Sequence, residues 1–166
     1  MSQRRFAILR ANIDRELDNL ERLVAEAEEW RPRLTDWPDT VRVRTAGGIL
    51  HDFYCGVERI FRHIAIRIDE DLPGDADWHI QLLQRMTMDI ETIRPAVLDR
   101  ETARQLDEYL RFRHLFRNIY GFDLEWERCH QLLDDLPATF ERLLQRLADF
   151  DEFLRTLERE FQDLAS

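Results

Sequence analysis

The sequence predicts an all-α fold, a bundle of about five helices with a long C-terminal helical region. Three observations lead there. Glycine and proline, the residues that punctuate turns, number only five each in 166 residues, which leaves room for long helices and few connections. Apolar residues recur at steps of three and four, the spacing that lines up one helix face. Most β-branched residues stand among charged neighbours and not in the alternating runs of a strand. The length suits one domain, so residues 1–166 are expected to form a single unit.

The first helix is expected from about Gln3 to Trp30, with Phe6, Leu9, Ile13, Leu17, Leu20, Val24 and Ala27 on its inner face. Arg31-Pro32 and Trp37-Pro38 then mark a loop, because the residue before proline avoids the helical region. A second helix runs from about Thr40 to Asp69. It crosses Gly47-Gly48, where the small residues either admit a closely packed helix or break the turn. Beyond them Leu50, Phe53, Val57, Ile60 or Phe61, and Ile64 form its stripe. Asp71-Leu72-Pro73-Gly74-Asp75 has the chemistry of a turn. Asp75 or Asp77 then caps a third helix, Trp78 to about Thr92, which turns Leu82, Leu83, Met86 and Ile90 inward. Pro95 ends that segment. Asp99 caps a fourth helix, with Glu101 favourably placed in its first turn and Gly121 positioned to end it. The last region spans Asp123 to near Leu164, and Pro137 is expected to kink or restart it next to Asp134 or Asp135. Its stripe, Cys129, Leu132, Leu136, Phe140, Leu143, Leu147, Phe150, Leu154, Leu157 and Phe161, is close to a heptad seam. Such a seam packs within a bundle or across a dimer.

The net charge of −10 disfavours general nucleic-acid binding, so any contact with a polyanion has to come from a local basic patch. All 24 basic residues are arginine, each a planar fork suited to carboxylate or phosphate. Cys55 and Cys129 lie in apolar helical patterns and read as buried thiols of a reducing, cytoplasmic compartment. The N-terminus becomes charged too quickly for a signal peptide, and no apolar run approaches membrane-spanning length.

No metal site or cofactor is expected. Glu127-x-x-His130 has the carboxylate–histidine spacing of di-iron bundles but stands alone, and Asp75, Asp77 and His79 have no companion ligands. Zinc-spaced cysteine pairs, phosphate-cradling glycine loops and nucleophile elbows are absent. One cluster stands out. Arg111, Arg113, His114, Arg117, Asn118 and Tyr120 make the most basic ten residues of an acidic chain. Arg113, Arg117 and Tyr120 are spaced i, i+4, i+7 and are expected to share a face. The second helix has its own group, Arg59, Arg62, His63 and Arg67, beside Glu58. If the two helices pack together, a positive pocket is expected, with Glu58 buried and orienting an arginine of the fourth helix. The alternative is a set of surface salt bridges.

The string Arg113-His114-x-x-x-Asn118-x-Tyr120 resembles the signature of the HEPN superfamily, specifically its HepT-like branch. There an arginine followed by a polar residue precedes a histidine, and a tyrosine follows that histidine after one residue. The runs HDFYCGVERIFRHIA, residues 51–65, and RFRHLFRNIYGFDLEWER, residues 111–128, are similar to the same regions of HepT-like proteins. The resemblance implies a toxin of a type VII toxin–antitoxin system, a metal-independent endoribonuclease that cleaves RNA by 2′-hydroxyl attack in a cleft shared by a homodimer. It also implies a small nucleotidyltransferase (MntA-like) antitoxin that attaches AMP to Tyr120. Arg113 would stabilise the phosphorane, supported by Arg117 and oriented by Glu58. Asn118 stands where the family has histidine, and an amide cannot transfer a proton at neutral pH. The acid–base role would then fall to His114, with Asn118 orienting the substrate. The alternative is a catalytically degenerate domain that acts in binding or dimerisation.

Overall fold

A computed structural model describes residues 3–164; the terminal residues 1–2 and 165–166, included in the single-domain expectation, lie outside it. Among the described residues five α-helices and no strand occur: α1 (Gln3–Leu34), α2 (Asp39–Ile64), α3 (Trp78–Arg85), α4 (Arg100–Asn118) and α5 (Trp126–Leu164). The central element is α2, which packs against all the others. None of these helices is long and apolar enough to cross a membrane.

α1 continues through Pro32 to Leu34, past its expected end. The proline forfeits one backbone bond, and the fully buried Leu34 and the contact between the Trp30 and Trp37 rings (5.4 Å) hold its turn in place. α2 crosses Gly47-Gly48 without a break, which settles the two open readings for Gly47. A Cβ built on it would come within 2.8 Å of the Phe116 ring of α4, so glycine permits this close approach. After Ile64 the helix widens into a π-turn, Ala65–Asp69, closed by Glu70 in the left-handed conformation (φ 55°).

α3 ends at Arg85, short of Thr92. The reason is Arg94, only 4% exposed. It grips the Asp69 carboxylate through Nε (2.6 Å) and Nη2 (2.9 Å). The same guanidinium donates to the carbonyls of Arg85, Met88 and Pro95. The backbone N–H groups of Val97 and Leu98 both donate to the Met86 carbonyl. A buried guanidinium needs all its donors satisfied, and this folds residues 86–98 into turns around it. Leu82, Leu83 and Met86 are buried as expected, whereas Ile90 is only half-buried. Neither Asp75 nor Asp77 caps α3 through its side chain; Asp99 does cap α4, accepting from the Thr102 N–H at 2.7 Å.

α5 runs unbroken through Pro137, against the expected kink or restart. Leu133, Leu136 and Phe140 flank the proline, all buried, and Phe140 meets Phe53 of α2 edge-on. Packing on both sides thus outweighs the missing backbone bond. The α5 seam is used inside the chain. Cys129 to Leu154 are buried, Phe161 meets Phe6 of α1 (5.8 Å), and the Tyr109 hydroxyl of α4 donates to the Leu132 carbonyl (2.8 Å). Arg10 of α1 ties down Asp151 (2.6 Å) and Glu158 (3.1 Å). A dimer therefore cannot draw on that seam.

Candidate active site in the arginine-lined cavity

Glu58 is the hub of the site. It follows Val57 on the buried face of α2 and is 6% exposed. A carboxylate taken out of water needs partners, and two arrive from different helices. His79 of α3 brings Nδ1 to within 2.5 Å of Oε2, and because a carboxylate only accepts, the ring nitrogen donates. Arg113 of α4 brings Nη2 to 3.7 Å from Oε1, an ion pair longer than a hydrogen bond, while its Nε lies 3.3 Å from the Cys55 sulfur. Arg113 itself is 8% exposed. The expected contact between a buried Glu58 and an arginine of the fourth helix is thus present. The half-buried Cys55 is less enclosed than expected and acts as an acceptor under that guanidinium. Cys129 is buried, and burial pushes its thiol up to about 11, so it stays protonated.

His79 and Arg113 open into a cavity of about 930 Å³ between α3 and α4. Five arginines line it, Arg100, Arg104, Arg111, Arg113 and Arg117, against two aspartates, Asp77 and Asp107. Arg111 is paired with Asp107 (2.7 Å) and Arg104 with Glu101 (2.7 Å). Arg100 and Arg117 hold no ion pair among the described residues, so their charge is available to a bound anion. His114 and Asn118 also line the cavity, both exposed. Asn118 donates its side-chain amide to the His114 carbonyl (2.7 Å), closing the end of α4.

Two sequence expectations fail here for local reasons. Tyr120 does not share the face of Arg113 and Arg117. The helix stops at Asn118, Ile119 is extended, and the chain has left the helical path before Gly121. Gly121 serves a close approach instead, since a Cβ there would meet the Arg44 guanidinium at 3.0 Å. Tyr120 is 71% exposed and stacks on Phe122 (5.2 Å, 10° between planes), and it does not line the cavity. The basic group of α2 is also elsewhere. Arg59 pairs with Glu16 of α1 (3.2 Å), Arg62 lies over the Trp78 ring, and none of Arg59, Arg62, His63 and Arg67 lines the cavity.

His79 is the site residue that sequence reasoning passed over. It was weighed only as a metal ligand, and its partner Glu58 lies 21 residues away on another helix. The available signal was a lone histidine at the start of a short amphipathic helix beside an aromatic residue. Among the described residues no group of His, Cys, Asp and Glu is placed to hold a metal ion; His130, of the Glu127-x-x-His130 pair, instead faces Asp134.

Five α-helices and no strand among the described residues are consistent with the all-α bundle of a HEPN-like domain. The family model for HepT-like proteins matches residues 45–154, which run from α2 through most of α5. The chain belongs to the HepT-like family of the HEPN superfamily. No curated protein and no solved structure matches it.

Proposed function

We propose that the chain is a HepT-like toxin of a type VII toxin–antitoxin system: a cytoplasmic, single-domain, metal-independent endoribonuclease, held in check by a nucleotidyltransferase that attaches AMP to Tyr120. The observation that carries this reading is the cavity, which gathers five arginines in a chain whose net charge is −10. A polyanion meets repulsion elsewhere and attraction there. In the proposed reaction a ribose 2′-hydroxyl attacks the adjacent phosphate. Arg113, fixed by Glu58, stabilises the charge of the phosphorane; one preorganised donor of this kind contributes about 3–4 kcal/mol. Arg117 supports it with a charge that no carboxylate neutralises among the described residues, and the exposed His114 and Asn118 contact the RNA at the edge of the cavity. Two copies are expected to pair with their Arg113 side chains lining one shared cleft, through a surface other than the α5 seam.

The exposure of Tyr120 agrees with its role as AMP acceptor, since a transferase has to reach the hydroxyl. The adduct would place negative charge and bulk next to the basic end of α4. The reading is tested by incubating the protein with total tRNA and mRNA in EDTA. Arg117→Ala is the control that keeps the buried Glu58–Arg113 pair. Cleavage by the parent and its loss in the variant support the ribonuclease. A second reading, a degenerate domain that binds without cutting, is favoured by Asn118 and by the acidic net charge, and RNA retention without cleavage would select it.

A further inference from the structure

A proton has to leave the 2′-hydroxyl, and His114, the residue to which the resemblance leaves that task, is not well placed to take it. Asn118 does not titrate in the neutral range and has committed its amide to a backbone carbonyl. His114 is exposed, and no hydrogen bond holds its ring among the described residues. We propose that His79 is the proton-transferring catalytic residue of this cavity and that Glu58 positions it; this rests on the ribonuclease reading above.

The geometry supports this in three ways. The imidazole is fixed on two sides, by the Glu58 carboxylate at Nδ1 (2.5 Å) and by the Trp78 ring, whose centroid lies 3.6 Å from its own. Trp78 is in turn covered by Arg62 (5.4 Å). Donating from Nδ1 sets the neutral tautomer in which Nε2 carries the lone pair, and no protein hydrogen bond engages Nε2 among the described residues. The ring lines the same cavity as Arg113, and the two oxygens of one carboxylate serve both. A single buried group thereby fixes the base and the cation relative to each other, an arrangement in which a carboxylate orients a histidine for proton transfer. The other charged or titratable groups of the cavity are Asp77, from the segment leading into α3, and Arg100, Arg104, Asp107 with its partner Arg111, His114 and Arg117 of α4, while Arg62 of α2 lies over the Trp78 ring.

In the step so assigned, Nε2 of His79 accepts the 2′-hydroxyl proton, the O2′–P bond forms and the P–O5′ bond breaks with its electron pair on O5′. That oxygen takes a proton from a water molecule, and the resulting hydroxide takes the proton back from His79. The products are a 2′,3′-cyclic phosphate and a 5′-hydroxyl, with a net transfer of one proton from O2′ to O5′.

The test measures RNA cleavage against pH for the parent, His79→Asn, His79→Gly with and without added imidazole, and His114→Ala. Asparagine keeps an amide donor in place of Nδ1–H, so Glu58 stays satisfied; unchanged thermal melting verifies the fold. The expected result is a loss of about 100-fold or more in His79→Asn, the scale of a general base. The acidic limb of the profile should vanish in that variant, return toward the parental rate with imidazole in His79→Gly, and persist in His114→Ala. Cleavage by His79→Asn within a few-fold of the parent, or a lost rate that imidazole does not restore, overturns the assignment and leaves the ribonuclease reading standing. A parent that cuts none of the RNAs overturns both.

Discussion

The floor of the cavity and the segment that follows α4 are close in sequence and opposite in physical character. Arg113 is 8% exposed and meets Glu58 and Cys55, whereas Tyr120 is 71% exposed and its ring stacks on that of Phe122. At the floor, burial demands partners, and the partners fix each side chain to a narrow geometry. Beyond Asn118 the chain leaves the helix and presents two stacked rings, Tyr120 and Phe122, to solvent. A transition-state stabiliser belongs in the first environment, because preorganised charge is most effective out of water. A group that another protein modifies belongs in the second. Arg113 faces the cavity and is buried at once, so Arg113→Ala perturbs chemistry and stability together.

The largest effect expected from breaking this contrast is on the floor. Glu58→Ala leaves a buried guanidinium without its carboxylate and a histidine without its acceptor, and should cost roughly 3 kcal/mol of stability; denaturant titration reads it directly. A loss below about 1 kcal/mol would show that solvent reaches the pair well enough to replace it. Next in size is the entrance to α4. Asp99→Ala removes the cap on Thr102 and should cost about 1 kcal/mol. The Thr102 backbone N–H, chiefly, holds the Asp99 carboxyl below the usual carboxylate range. Its folded value therefore lies below the unfolded one. The contribution is fully present at neutral pH, and it disappears as the pH falls through the lowered value. Stability measured from pH 7 downward should show a smaller acid-dependent loss in Asp99→Ala than in the parent.

RNA affinity sharpens the comparison further. Binding should be weak and fall steeply with salt, since phosphate contacts displace counterions, and Arg117→Ala should flatten that slope by about one contact. Affinity that hardly changes between low and high salt would remove the cavity as the binding surface. The smallest effect belongs to the exposed segment. Tyr120→Phe should change stability by no more than about 0.5 kcal/mol and cleavage little, while abolishing modification by a nucleotidyltransferase and ATP. Mass spectrometry locating AMP on another residue would break the proposed division of labour between floor and segment.

Local patterns were legible where one helix face decides the outcome. The stripes of α1 and α2, the Asp99 cap and the buried Glu58 follow from spacing and from the cost of dry surface. The errors cluster at prolines, helix ends and pairings between distant residues. Pro32 and Pro137 announce breaks by their own chemistry, yet flanking core residues hold both turns helical. Residues 86–92 carry helical periodicity, yet a single arginine just before Pro95, Arg94, pulls them into turns around Asp69.

By itself the sequence determined the class of the molecule: apolar stripes at helical spacing, few breakers, and one dense arginine cluster in an acidic chain, each a property of neighbours within a turn or two. Only the tertiary structure decided which charges meet. His79 reaches Glu58 across 21 residues, and Arg113 reaches it across 55, because α3 and α4 both pack on α2. Periodicity specifies the face a residue occupies on its own helix; it carries no information about which face of another helix lies opposite. That is settled by the close approach at Gly47 and by the Arg94 clamp, which bring a histidine and an arginine to the same buried carboxylate.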